Sequence, residues 1–115
     1  MAMPIPLNKE KVRLYAHPLC PYVERVKLVL NYFGIEFQVV NVSLPQRPDW
    51  YLEFGGGTVP VIEFPDGFRI GESFPIMELI DEKYHEKSLY PSDPYGRANI
   101  RALISVNSTI GLYMF

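Results

Sequence analysis

The stretch His17-Pro18-Leu19-Cys20-Pro21-Tyr22-Val23 sets the chain's only cysteine between a strand pattern and a helix pattern. Before it, Val12 to Tyr15 alternates as a short strand. After it, Pro21 suits the first position of a helix, which leaves Cys20 as the N-cap. The opening turn of a helix carries unpaired backbone N–H groups, and these, with the macrodipole, favour a thiolate over a thiol. A thiol so placed suits redox chemistry. The competing reading, a small buried hydrophobe, is the ordinary fate of a lone cysteine, and the Pro-Tyr context argues against it here.

Working outward, Val23, Val26, Leu30 and Phe33 recur with a helical period that stops at Gly34, a suitable C-terminal cap. Ile35 to Val42 is rich in β-branched and aromatic residues and reads as a second strand, so the first three elements form a parallel βαβ unit. Leu44 to Phe54 reads as a loop and short helix, interrupted by Gly55-Gly56-Gly57. Val59 to Phe64 is a third strand, Pro65-Asp66-Gly67 a turn and Phe68 to Ile70 a fourth strand, the pair forming an antiparallel hairpin. Ser73 is expected to cap a helix running through Tyr84, with Ile76, Met77, Ile80 and Tyr84 on one face and Glu72 near its positive end. The order is β-α-β-α-β-β-α, an α/β class.

Ser88 to Tyr95 contains Pro91 and Pro94 around Ser92-Asp93, which is linker chemistry. A final helix follows from Tyr95 to about Thr109, with Ile100, Leu103 and Ile104 along one side and Asn107 at the same spacing. The expected division is a flexible arm over 1–9, a compact domain over 10–87, a linker over 88–94 and a helix over 95–115.

With 115 residues and 48% hydrophobic content, the chain supports one ordinary domain with its own core. A formal net charge of −2 argues against nucleic acid as a partner, because phosphate neutralisation needs a basic surface. One cysteine forms no internal disulfide, and no apolar run approaches the roughly 20 residues of a membrane span. A cytoplasmic setting is expected. The segment Met1-Ala2-Met3-Pro4-Ile5-Pro6 has neither the charged leader nor the apolar core of a signal peptide. No Cys/His cluster has metal-ligand spacing, so no metal is expected; His85 reads as a surface residue.

The element order, Cys20-Pro21-Tyr22-Val23, Thr58-Val59-Pro60 opening a strand and Glu72-Ser73 opening a helix together resemble the N-terminal, thioredoxin-like domain of glutathione transferases, most nearly the omega class. That class has a cysteine in a Cys-Pro-aromatic context where most cytosolic classes use Tyr or Ser. The resemblance continues through Arg47-Pro48-Asp49-Trp50, similar to the class's Lys-Pro-Glu-Trp, and through Tyr90-Pro91-Ser92-Asp93-Pro94-Tyr95, similar to its linker. It covers about residues 11 to 105. It implies a thioredoxin-like β-α-β-α-β-β-α domain followed by one extra helix, the first of a truncated helical domain.

The resemblance also implies roles. Cys20 is the catalytic thiol. Pro60 is a cis proline facing it, turning the Val59 backbone toward the cysteinyl part of glutathione; the ordinary alternative is a trans proline at a strand start. Glu72 and Ser73 hold the γ-glutamyl end at a helix N-terminus, against plain capping as the alternative. Arg47 stands where the class has a lysine for the glycyl carboxylate, against a solvated loop arginine, with Leu44 as a nearby contact. Tyr22 either donates toward the sulfur or packs over the site, and His17 either raises the local positive potential or is incidental.

Dithiol glutaredoxins, which share Cys-Pro-Tyr, carry a second cysteine where Val23 stands, so this chain is expected to work as a monothiol with glutathione as co-substrate. The implied activity is that of a glutathione-dependent thioltransferase and dehydroascorbate reductase, acting on small disulfides or dehydroascorbate-type substrates, with weak conjugating activity. The other reading is a truncated glutathione-binding or protein-interaction domain without useful turnover. Exposed Ile100, Leu103 and Ile104 would gain about 1.5–3 kcal/mol each on being covered, which points to a homo-oligomer, as in the family's dimers.

Overall fold

The computed structural model describes residues 6–42, 48–55, 57–84 and 88–114, with side chains at 54–55 and from 107 onward outside the description. The elements are β1 (Val12–Ala16), α1 (Pro21–Tyr32), β2 (Phe37–Asn41), α2 (Asp49–Gly55), β3 (Val61–Glu63), β4 (Arg69–Gly71), α3 (Ser73–Lys83) and α4 (Pro94–Met114). The four strands form one sheet in the order β2-β1-β3-β4. β1 runs parallel to β2, from Val12 opposite Phe37 to Ala16 opposite Asn41. β3 is antiparallel to β1 and to β4, with Ile62 opposite Leu14 on one side and Ile70 on the other.

Every residue of β1 is buried, because helices cover both faces of the sheet. Alternation along the strand sorts its side chains. Val12, Leu14 and Ala16 join Ile62, the α1 residues Val23, Val26, Val29 and Leu30, and the α3 residues Ile76 and Ile80 in one core. Tyr15 joins Val42, Val61 and Tyr51 of α2 in a second core on the other face. There the Tyr51 hydroxyl donates to the Thr58 carbonyl, tying α2 to the segment that enters β3.

Arg13 lies on that second face, and both it and Glu63 are only 3% exposed. The two are cross-strand partners, joined Nη1 to Oε1 at 3.2 Å. The Tyr15 hydroxyl donates to the same Glu63 oxygen at 3.2 Å. Arg13 Nε donates to Gln38 at 3.0 Å and Nη2 to the Pro6 carbonyl at 2.7 Å. Buried charges persist only when paired and hydrogen-bonded in this way. Burial pushes the Tyr15 hydroxyl pKa above its ordinary value of 10.0, against the lowering effect of Arg13.

The helix ends follow from local chemistry. Cys20 is the N-cap of α1, in extended conformation (φ −92°, ψ 115°), with Pro21 next. At the other end Gly34 takes φ +69°. Its N–H donates to Asn31 O at 3.1 Å and that of Ile35 to Leu30 O at 3.0 Å, the paired bonds of a Schellman motif. α3 differs from expectation: Ser73 is its first helical residue and Glu72, at φ +72°, is the N-cap. β4 runs up to Gly71, so the chain must reverse from strand to helix within one residue, and Glu72 absorbs the turn.

The expected linker is clamped. The buried Asp81 of α3 accepts from the Ser88 hydroxyl at 2.8 Å and the Leu89 N–H at 2.6 Å. Glu78 Oε1 accepts from the Tyr90 hydroxyl at 3.0 Å and from Arg101 Nε of α4 at 2.8 Å. The guanidinium groups of Arg97 and Arg101 lie 4.7 and 4.9 Å from the Tyr90 ring centre. α4 starts one residue before the expected boundary, at Pro94, because Asp93 caps it by accepting the Gly96 N–H at 2.8 Å. A side chain at Gly96 would place its Cβ 2.9 Å from Pro91 Cβ, so the linker packs against bare backbone there. α4 continues past Thr109 to Met114. Its exposed apolar side chains include Leu103 (60%) and Val106 (56%), whereas Ile100 and Ile104 are half-buried.

Burial and the Glu78 hydrogen bond push the Tyr90 pKa from 10.0 up to about 12. A raised folded-state value means that this contribution to stability is complete below pH 10 and is lost as pH rises toward 12. Thermal melts across that window should therefore fall more steeply for wild type than for Tyr90→Phe. Tyr51→Phe keeps the ring but removes the bond to Thr58, and urea unfolding should show a loss of about 1 kcal/mol at unchanged m-value.

Candidate functional site

The register of the sheet gathers the segments that carry the candidate site residues. Val61 lies opposite Tyr15 on one side and Gly71 on the other. The end of β1, the start of β3 and the end of β4 therefore share one edge. Residues 17–20 leave β1 there, residues 58–60 enter β3 there, and Glu72-Ser73 leave β4 there. Gly71 lies beside Pro60 there: a Cβ built on Gly71 would be in ordinary contact, 3.7 Å, with the Pro60 carbonyl oxygen. Cys20, Tyr22 and Val59 contribute to the same packed cluster.

Cys20 is a free thiol, 5% exposed. No side-chain hydrogen bond caps the N-terminus of α1, so its positive end is left to whatever occupies the edge. The Cys20 N–H donates to His17 O at 3.1 Å, closing a turn over residues 17–20. Within that turn His17 Nδ1 accepts the Leu19 N–H at 3.3 Å. In this arrangement the imidazole serves the turn as a hydrogen-bond acceptor. Tyr22 packs against the core cluster, with the Arg25 guanidinium 5.1 Å from its ring centre.

The Val59–Pro60 peptide bond is cis. Pro60 and Ser73 are buried, while Glu72 is exposed. Like α1, α3 begins without a side-chain cap. The edge thus presents a thiol, a proline-flanked strand entry and two helix N-termini not closed by their own N-cap side chains, an arrangement suited to a ligand with carboxylates and a sulfur. Leu44, Arg47 and His85 lie outside the described residues. Among the described residues no group of three or more His, Cys, Asp or Glu is placed to hold a metal ion. No helix among them is long and apolar enough to cross a membrane. A cavity of about 470 Å³ lined by Lys11, Val12, Ile35, Phe64, Lys83 and Tyr84 opens at the opposite edge of the sheet, away from these groups.

The sequence signal for the imidazole bond of His17 is a His-Pro dipeptide opening a turn, which does not by itself specify that bond. The buried Arg13–Glu63 pair was also missed, since each residue sits in a short strand where exposure is the ordinary expectation for a charge.

The family model described as Glutathione S-transferase, N-terminal domain, matches residues 19–83. Glutathione S-transferase omega-1 of Mus musculus is 39% identical over 98 residues, covering 84% of this chain and 41% of its own length. The crystal structure of glutathione transferase Omega 1C from Trametes versicolor superposes with a TM-score of 0.76 at 25% identity, covering 87% of this chain and 48% of that one. Dehydroascorbate reductase of Chlamydomonas reinhardtii superposes at 0.66 with 26% identity, over 76% and 45% of the two chains. The chain thus spans under half the length of these relatives. Its thioredoxin-like sheet, its family match over residues 19–83 and its omega-class relatives place it in the glutathione S-transferase family, as a chain carrying the N-terminal domain in omega-class form.

Proposed function

We propose that the chain is an omega-like glutathione transferase acting as a glutathione-dependent thioltransferase and dehydroascorbate reductase through a Cys20–glutathione mixed disulfide. The observation that carries this reading is Cys20 at the uncapped N-terminus of α1, on the sheet edge that also holds cis Val59–Pro60 and Glu72-Ser73. The likeness to a dehydroascorbate reductase supports the substrate class.

In this reading the Val59 backbone pairs with the cysteinyl part of glutathione. The start of α3, with Ser73, receives the γ-glutamyl carboxylate. Glu72, exposed and with its side chain making no capping bond, takes the ammonium, and Leu44 and Arg47 attend the glycyl end. The Cys20 thiolate attacks the glutathionyl sulfur of a mixed disulfide and expels the partner thiolate, which takes a proton. A second glutathione thiolate then attacks the Cys20-bound sulfur, releasing glutathione disulfide and restoring the Cys20 thiolate. With dehydroascorbate, two glutathione thiols supply the two electrons and leave as the same disulfide. Residues 10–87 serve as the glutathione-binding domain, 88–94 as the linker and 95–115 as the start of a helical domain, in a cytoplasmic homo-oligomer.

A second reading, a glutathione-binding or interaction domain with little turnover, is favoured by the exposure of Leu103 and Val106 on α4. Treatment with oxidised glutathione should add one glutathionyl group, located on Cys20 by peptide mass spectrometry, and Cys20→Ala should abolish thioltransferase turnover. Retention on immobilised glutathione without turnover would favour the binding reading instead. Gel filtration should show a concentration-dependent oligomer that Leu103→Glu shifts toward monomer; a sharp wild-type monomer peak at all concentrations would remove the oligomer from the proposal.

A further inference from the structure

We infer that His17 is a positioning residue for Cys20, acting through the backbone of the turn that delivers the thiol to α1; this rests on the reading of Cys20 as nucleophile. Pro18 has no N–H, so residues 18–20 hold the backbone donors of Leu19 and Cys20 alone. Both end on His17, the first on imidazole Nδ1 at 3.3 Å and the second on the carbonyl at 3.1 Å. Leu19, 76% exposed, adds little packing to hold the turn in place. On the other side, His17 follows Ala16, which is buried in β1 and whose carbonyl accepts the Val42 N–H at 2.8 Å. The orientation of Cys20 relative to the sheet is therefore set through His17 on the strand side, alongside the packing of Cys20 itself in the core cluster at the start of α1. Without the imidazole the turn keeps one closing bond, and the thiol gains orientations away from the helix axis.

Elsewhere the chain makes the same two-residue bond with other side chains. Asn8 Oδ1 accepts the Glu10 N–H and Asp66 Oδ1 the Phe68 N–H, each at 2.9 Å. Asparagine is thus a chemical substitute for His17, and Asn-Pro is itself a turn opener.

The test compares wild type, His17→Ala, His17→Leu and His17→Asn by the rate of Cys20 alkylation with iodoacetamide, alongside thermal melts and glutathione turnover. The alanine and leucine variants should be alkylated about threefold to tenfold more slowly, the scale of one net hydrogen bond. The asparagine variant should return to within about twofold of wild type. The leucine variant keeps bulk without an acceptor and so reads the bond rather than the volume, even if His17→Ala does not fold. Rates equal to or above wild type in the acceptor-free variants would overturn the inference, as would an asparagine variant as slow as they are. Alkylation needs no glutathione, so this rate pattern in a chain lacking turnover would reject the proposed activity and leave the role of His17 standing.

Discussion

The placing of Val61 between Tyr15 and Gly71 is the constraint on which the rest of the structure depends. It aligns the end of β1, the start of β3 and the end of β4, and every segment of the candidate site hangs from one of those points. A slip of one residue would turn each side chain of β3 to the opposite face. It would also separate Arg13 from Glu63, leaving two buried charges without their partner. The ion pair need not add net stability to hold this register; it is enough that every other register strands it. A pair on one face of the sheet thereby helps to fix the geometry of the edge where the thiol sits.

A second theme is where the chain omits side-chain caps. Asp93 closes the start of α4, at a junction whose role is to seat one helix beside another. α1 and α3, which start at the edge of the candidate site, have no such bond from Cys20 or Glu72. Capping stabilises a helix start by satisfying its backbone N–H groups; at α1 and α3 the N-cap side chains leave those groups open. Positive φ at Glu72 fits the same pattern, since it starts α3 next to the strand end and leaves the carboxylate exposed. The Tyr90 clamp does complementary work on the far side of α3, where Glu78 and Asp81 hold the linker and α4 on the helix that begins at the site.

Much of this was legible in the sequence because it is set by near neighbours. Pro21 after Cys20 marks a helix start, Gly34 a helix end, and Pro65-Asp66-Gly67 a hairpin, each through backbone preferences acting over a few residues. The N-cap of α3 lies one residue before the expected Ser73, at Glu72, for the converse reason. Ser73 has good capping chemistry, but the approach of β4 decides where the helix can begin. Likewise Ile100 and Ile104 look as exposed as Leu103 from their spacing, and only the packed arrangement separates them. The Tyr90 network has no local pattern, since its members come from α3, the linker and α4.

The sequence by itself determined the order of elements, the junction that holds Cys20 and the monothiol character imposed by Val23, because these depend on residue type and short-range geometry. Only the tertiary structure decided that Arg13 is buried against Glu63 and that Glu72 rather than Ser73 turns the chain. Those outcomes depend on strand register and on which groups are denied water, and neither is set until distant segments of the chain meet.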